Sequence, residues 1–245
     1  TRVERLEARV VRVACGGHST AVVTAGRRLL LWGMVSPTSM EGVRVPTEVE
    51  LLSEGEPVPM RDVSCGMVHY AAVSWDGRLF TWGRNQHGQL GRQTEAAGSA
   101  WRKDEVEALA DQHIVSVACG HNHTAAINES GTMYTFGRKE MLQYGGERNV
   151  ISQPPSPVLG PVRCHHTPSF FNSLPLRGSV QGALRGAGHP AGACVAVSCG
   201  ESHTVALCED SDGERTILSW GQGEDGQLGL GDRVAVELPT RVQLE

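Results

Sequence analysis

This 245-residue sequence predicts an all-β propeller built from four copies of one unit, on three observations. A Cys-Gly step recurs at Cys15-Gly16, Cys65-Gly66, Cys119-Gly120 and Cys199-Gly200. An aromatic-Gly stop follows each step, at Trp32-Gly33, Trp82-Gly83, Phe136-Gly137 and Trp220-Gly221. It comes 17 residues on in the first three copies and 21 in the fourth. Between step and stop lie only short apolar runs and glycine turns. Four antiparallel strands per unit of about 50 residues is the arithmetic of a propeller blade, and no 3.6-residue period supports a helical solenoid.

Within a copy, the strand before the step is β-branched: Val11-Arg12-Val13, Val115-Ser116-Val117 and Val195-Ala196-Val197. The run after it, such as Tyr70-Ala71-Ala72-Val73 or Thr204-Val205-Ala206-Leu207, is small and apolar, as a strand packed on both faces would be. Ala25-Gly26, Asp76-Gly77, Ser130-Gly131 and Asp212-Gly213 are placed to give the positive φ of a tight hairpin. The return strand, as in Arg78-Leu79-Phe80-Thr81-Trp82, ends at the aromatic-Gly stop. A fourth strand is expected at Pro46–Val49, Pro155–Val158 and Pro239–Val242, where proline suits an edge. The four extra residues of the fourth copy fall in Glu209–Thr216 and are expected to lengthen its hairpin turn.

The repeats run over about 1–46, 47–103, 104–155 and 156–239, with the start of a next repeat at 240–245, because Thr1-Arg2-Val3 has the phase of Thr240-Arg241-Val242. A Gly-, Pro-, Ser- and Ala-rich insertion at about 163–192 reads as a flexible loop. Four blades leave open strand edges, so further blades or a partner chain are expected there.

Net charge is −5 and Lys103 and Lys139 are the only lysines, which argues against a nucleic-acid surface. Seven cysteines, four at one repeat phase, argue against a disulfide framework and for a reducing intracellular compartment: cytoplasm, cytoskeleton, cilium or nucleus. No run of about 18 apolar residues predicts a membrane span.

Cys-Gly-x-x-His-Thr, the aromatic-Gly stop and then Gly88-Gln89-Leu90-Gly91 or Gly226-Gln227-Leu228-Gly229 together resemble the regulator of chromosome condensation repeat family over about 210 residues. Leu142-Gln143-Tyr144-Gly145 is a degraded copy. The resemblance implies a propeller of that type, with four repeats present of seven and sequence repeats out of phase with the blades. The first copy departs from it, with Ser19 where the others have His69, His123 and His203, and with no Gly-Gln-Leu-Gly.

Histidines that recur at one repeat position are expected to hold strand-turn geometry in their own blades rather than a metal. Cys15, Cys65, Cys119 and Cys199 are expected to be small buried residues, and the aromatics to pack between blades. Cys164-His165-His166 with Cys194 has metal-ligand types but no ligand spacing. No catalytic, cofactor or metal site is expected. Loops on a rigid scaffold are where binding lives, so the candidate interaction residues are Arg84, Asn85, Gln86 and His87, then Glu224 and Asp225, then Trp101 as an exposed aromatic. The residues and the resemblance together imply a non-catalytic protein-interaction scaffold. The second implication is guanine-nucleotide exchange on a small GTPase, the activity of the family's founding member.

Overall fold

The computed structural model describes residues 8–34, 42–94, 99–138, 156–159 and 192–244. The insertion from 163 to 191, Cys164-His165-His166, Leu142–Gly145 and the N-terminal Thr1–Glu4 lie outside them.

Four four-stranded antiparallel sheets follow one another along the chain. The first is β1 (Val10–Cys15), β2 (Ser19–Thr24), β3 (Leu29–Gly33) and β4 (Val43–Glu48). A two-stranded ribbon, β5 (Leu52–Ser53) with β6 (Glu56–Pro57), leads to the second: β7 (Met60–Cys65), β8 (His69–Ser74), β9 (Leu79–Gly83) and β10 (Asp104–Glu105). The third is β11 (Ile114–Cys119), β12 (His123–Asn128), β13 (Met133–Gly137) and β14 (Ser156–Leu159). The fourth is β15 (Ala193–Cys199), β16 (His203–Glu209), β17 (Arg215–Gly221) and β18 (Val236–Arg241). In each the strands are neighbours in chain order, the up-and-down pattern of a propeller blade. The outer strand of blade 2 is only two residues long and has no proline, which is why pattern reading found no fourth strand there.

The hydrophobic core lies between blades. One cluster joins Ala21, Leu29 and Leu31 of blade 1 to Tyr70, Phe80 and Trp82 of blade 2. A second joins Ala71 and Leu79 to Ile114, Val117 and Phe136, and a third joins Ile127 and Met133 to Cys194, Leu218 and Trp220. The stop aromatic of each blade therefore packs on the blade before it, as expected from its one-per-blade recurrence. Trp32, with no earlier blade among the described residues, is only half-buried.

Two local expectations are corrected. In the first hairpin the positive φ falls at Arg27 (62°), the position of Gly77 and Gly131, and not at Ala25-Gly26. Arg27 holds that strained conformation with its carbonyl accepting from Met60 N, 2.9 Å, and its guanidinium over the Trp75 ring at 3.8 Å. In blade 4 the four extra residues do not lengthen the turn. The turn bond Asp210 N–H to Glu214 O repeats Ser74 N–H to Arg78 O, and the ladder instead gains Cys208↔Thr216 and Glu209↔Arg215. Two residues are added to each strand, and the turn moves outward.

No helix among the described residues is long and apolar enough to cross a membrane.

Candidate functional site

The Cys-Gly-x-x-His-Thr motif builds a seam that crosses from blade to blade. His69 Nε2 lies 2.9 Å from Thr124 Oγ1, and His123 Nε2 lies 3.0 Å from Thr204 Oγ1, each threonine belonging to the following blade. The Thr124 hydroxyl donates to the Gln89 carbonyl at 2.8 Å, so it can only accept from His69, which fixes that ring as the neutral Nε2–H tautomer. Gln89 belongs to Gly88-Gln89-Leu90-Gly91, whose last glycine lies against the Phe136 ring of blade 3. The expectation that each histidine serves its own blade is thus corrected. The role is structural, but it joins neighbours, because the His and Thr of one motif face opposite sides of the sheet.

The glycine of the motif is needed by the histidine. A Cβ on Gly66 would sit 2.5 Å from His69 Nδ1 and 2.5 Å from the Gly120 carbonyl, so the ring and the next blade's backbone fill that space. Gly120 stands in the same relation to His123 and the Gly200 carbonyl. Both histidines are fully buried, and burial lowers their pKa values to about 4 for His69 and about 3 for His123. Neighbouring histidines push the same way. Both Nδ1 atoms are buried without a hydrogen-bond partner, so their lone pairs face the packed seam rather than a cleft a substrate could enter.

At the first seam both partners change. Ser19 takes the histidine position and Tyr70 the threonine position, with the Ser19 hydroxyl near enough to the Tyr70 phenol to favour its ionised form. The larger ring fills what the smaller serine vacates. It stacks on Trp82 with centroids 5.3 Å apart, and its hydroxyl donates to the Met34 carbonyl at 2.9 Å. The two departures from the repeat are therefore one exchange. Tyr70→Thr alone is expected to cost roughly 3 kcal/mol, and Ser19→His alone about 2 kcal/mol by crowding. The double variant restores the His–Thr pair, with a coupling energy of roughly 1–3 kcal/mol in denaturant titrations. Additive losses would contradict the exchange.

The seam stops at blade 4. The ring nitrogens of His203 meet no partner among the described residues, and the ring is only half-buried. In β8 and β12 every residue is buried, whereas β16 alternates: Thr204, Ala206 and Cys208 are covered by blade 3, and Val205 and Leu207 are partly exposed. Gln89 is 1% exposed beneath blade 3 while its counterpart Gln227 is half-buried. Among the described residues nothing covers this outgoing face. At the other end Cys15 and Val13 are exposed, so the expectation of one buried cysteine per blade holds for Cys65 and Cys119, is half met at Cys199, and fails for Cys15, which has no preceding blade against it among the described residues.

The loops after Trp82 and Trp220 share a frame and differ in what they display. Asn85 is part of the frame: its side chain accepts from Leu90 N at 2.9 Å and donates to the Arg92 carbonyl at 2.8 Å. Gln89 Oε1 accepts from His87 N, as Gln227 Oε1 accepts from Asp225 N. Thr81 and Ser219 hydroxyls donate to the Leu90 and Leu228 carbonyls at 2.7 and 2.6 Å. Arg84 and Gln86 on one loop, and Glu224 and Asp225 on the other, are exposed; His87 is half-buried. Trp101 is half-buried against the first core cluster and is no exposed platform. Sequence reasoning placed the loops and missed which of their residues are used up in folding. Asn85 was readable as such only from its two hydrogen bonds back into the loop. No group of three or more potential metal ligands occurs among the described residues.

Two models of the regulator of chromosome condensation (RCC1) repeat match the chain, one over residues 76–127 and 216–245 and the other over 60–89 and 194–227. The chain is 34% identical over 225 residues to the probable E3 ubiquitin-protein ligase HERC4 of Homo sapiens, an alignment covering 91% of this chain and 18% of that protein. It spans about a fifth of the length of the ligases it matches. Among solved structures it resembles human WBSCR16, with a TM-score of 0.73 at 23% identity, over 100% of this chain and 55% of that one. It also resembles Prp20p of Saccharomyces cerevisiae, with a TM-score of 0.51 at 16% identity, over 96% and 63% of the two chains; that structure's description names binding to Gsp1p and histones. These structural likenesses concern the fold.

Proposed function

We propose, from the premise that this chain belongs to the regulator of chromosome condensation repeat family, that it is a non-catalytic scaffold whose propeller presents its loops to a protein partner. One observation carries the reading. The recurring polar groups of the two inner seams, His69 with Thr124 and His123 with Thr204, are consumed in joining blades, while the exposed groups that differ, Arg84 and Gln86 against Glu224 and Asp225, sit on matched rigid loops. Opposite charges on equivalent loops suit a partner read by position around the rim. Further blades, in the same or a neighbouring chain, complete the face that His203 leaves open. The second reading is nucleotide exchange on a small GTPase, favoured by the likeness to Prp20p and by the fact that exchange needs no covalent chemistry.

Affinity capture from cells, with and without added GTP, separates the two. The scaffold reading predicts one partner set in both conditions, reduced at least tenfold by Arg84→Glu with Glu224→Lys and Asp225→Lys, with the thermal midpoint unchanged. A partner recovered nucleotide-free and released by GTP would replace the scaffold reading with exchange. Recovery that ignores the charge reversals would remove the loops from the interface.

A further inference from the structure

Blade 4 contains a pair of thiols that the other blades do not. Cys194, the second residue of β15, is directly opposite Cys208 on β16, and their sulfurs lie 3.2 Å apart. The peptide N–H of Cys194 points away from β16 to the Gly131 carbonyl of blade 3 at 2.9 Å, so Cys194↔Cys208 is a non-hydrogen-bonded pair of the ladder. Such pairs bring Cα atoms to about 4.5 Å, inside the roughly 4.4–6.8 Å range that a disulfide spans.

The longer hairpin of blade 4 explains why this pair can exist. The equivalent positions are Val10 opposite Thr24, Met60 opposite Ser74 and Ile114 opposite Asn128. Thr24, Ser74 and Asn128 close the hairpin turn, their side chains accepting from Arg28 N, Arg78 N and Thr132 N. In blade 4 the turn has moved outward by two residues per strand, and Asp210 accepts from Glu214 N in their place. Position 208 no longer has to cap a turn. It has become a ladder position next to the end of β16 and carries a thiol, opposite the one partner at this register that is also a cysteine.

We propose that Cys194 and Cys208 form a redox-active dithiol that a peroxide closes to a cross-strand disulfide. The Cys208 sulfur attacks one peroxide oxygen as its thiolate, breaking the O–O bond and giving a sulfenic acid and hydroxide, which takes the thiol proton to become water. The Cys194 sulfur then attacks the sulfenic sulfur and expels its oxygen, which leaves with the Cys194 proton as a second water. Two thiols and one peroxide become one disulfide and two waters. The pair is 3% and 4% exposed, packed with Ile127, Met133 and Trp220, which suits a small neutral oxidant better than a bulky disulfide. The resulting bond fastens the start of β15, which follows the long Gly- and Pro-rich sequence, to β16 of its own blade. The hydrogen bond with Cys208, and then burial, lift the Cys194 thiol far above its ordinary range, whereas the same hydrogen bond lowers Cys208, which favours Cys208 as the first nucleophile.

The test is peptide mapping of the whole chain under graded hydrogen peroxide, without reductant, alongside a thiol count. The expected result is a Cys194–Cys208 cross-linked peptide with loss of two thiols, appearing before oxidised Cys15 and reversed by dithiothreitol. Its appearance should raise the thermal midpoint of the wild type and leave Cys208→Ser unmoved. Oxidised Cys15 with Cys194 and Cys208 still reduced would overturn the proposal. So would a cross-link from Cys164 to either residue, or overoxidation of the pair without a cross-link.

Discussion

His123→Ala is expected to cost roughly 2–4 kcal/mol of stability, whereas His203→Ala at the same repeat position costs under about 1 kcal/mol. His123 is 2% exposed, fills the space above Gly120 and places its Nε2 3.0 Å across the seam from Thr204 Oγ1. Removing it opens a cavity between blades 3 and 4 and leaves a buried hydroxyl without its ring partner. His203 has the same backbone setting, with its ring over Gly200, but has no seam partner among the described residues. His69→Ala should fall with His123→Ala, since Thr124 and Gln89 continue its hydrogen-bond chain. Urea midpoints of the three variants give the ordering. Equal losses at all three positions would mean that the histidine serves its own blade after all.

Acid should weaken the fold through the same rings. An unfolded histidine takes a proton near pH 6.5, whereas His69 and His123 in the folded chain take one only at about 4 and about 3, because burial disfavours the imidazolium. Below pH 6.5 the unfolded state therefore binds more protons, and the stability present above that pH is lost progressively as pH falls toward the two folded values. Each ring removes about 2 kcal/mol between pH 7 and pH 5. The difference between the wild type and a His123→Gln variant isolates one ring, because groups such as Asp62, raised mainly by its own burial, titrate in both proteins.

The scaffold was legible in the sequence because a repeat states its own rule four times. Strand content, turn glycines and the aromatic stop could be read by laying Cys15, Cys65, Cys119 and Cys199 in register. What could not be read was direction across the sheet. His123 and Thr124 are adjacent in sequence, yet one side chain reaches forward to Thr204 and the other is reached from His69, and only packed blades show which neighbour each one meets. Insertions were equally opaque. The four extra residues of blade 4 look like a loop in sequence, but register decides whether they extend a turn or a ladder, and here they extend the ladder through Cys208 to Glu209. For the candidate site, the spacing after Trp82 and Trp220 located the loops. The split between Asn85, spent on the loop's own carbonyl and amide, and exposed Arg84 and Gln86 depended on geometry that neighbouring letters do not encode. Ser19 looked like a defect in its own copy, and Tyr70 read only as the start of an ordinary apolar run. They become a pair only when blade 1 is set against blade 2.

The claim that the recurring histidines join blades and are not a reactive site is tested most directly by an NMR titration of the imidazole resonances from pH 7.5 to pH 5. Both buried rings, His69 and His123, are expected to remain neutral Nε2–H tautomers throughout, with their Nε2 protons protected from exchange. A ring at either position that titrates near pH 6.5, or that carries its proton on Nδ1, would contradict the seam.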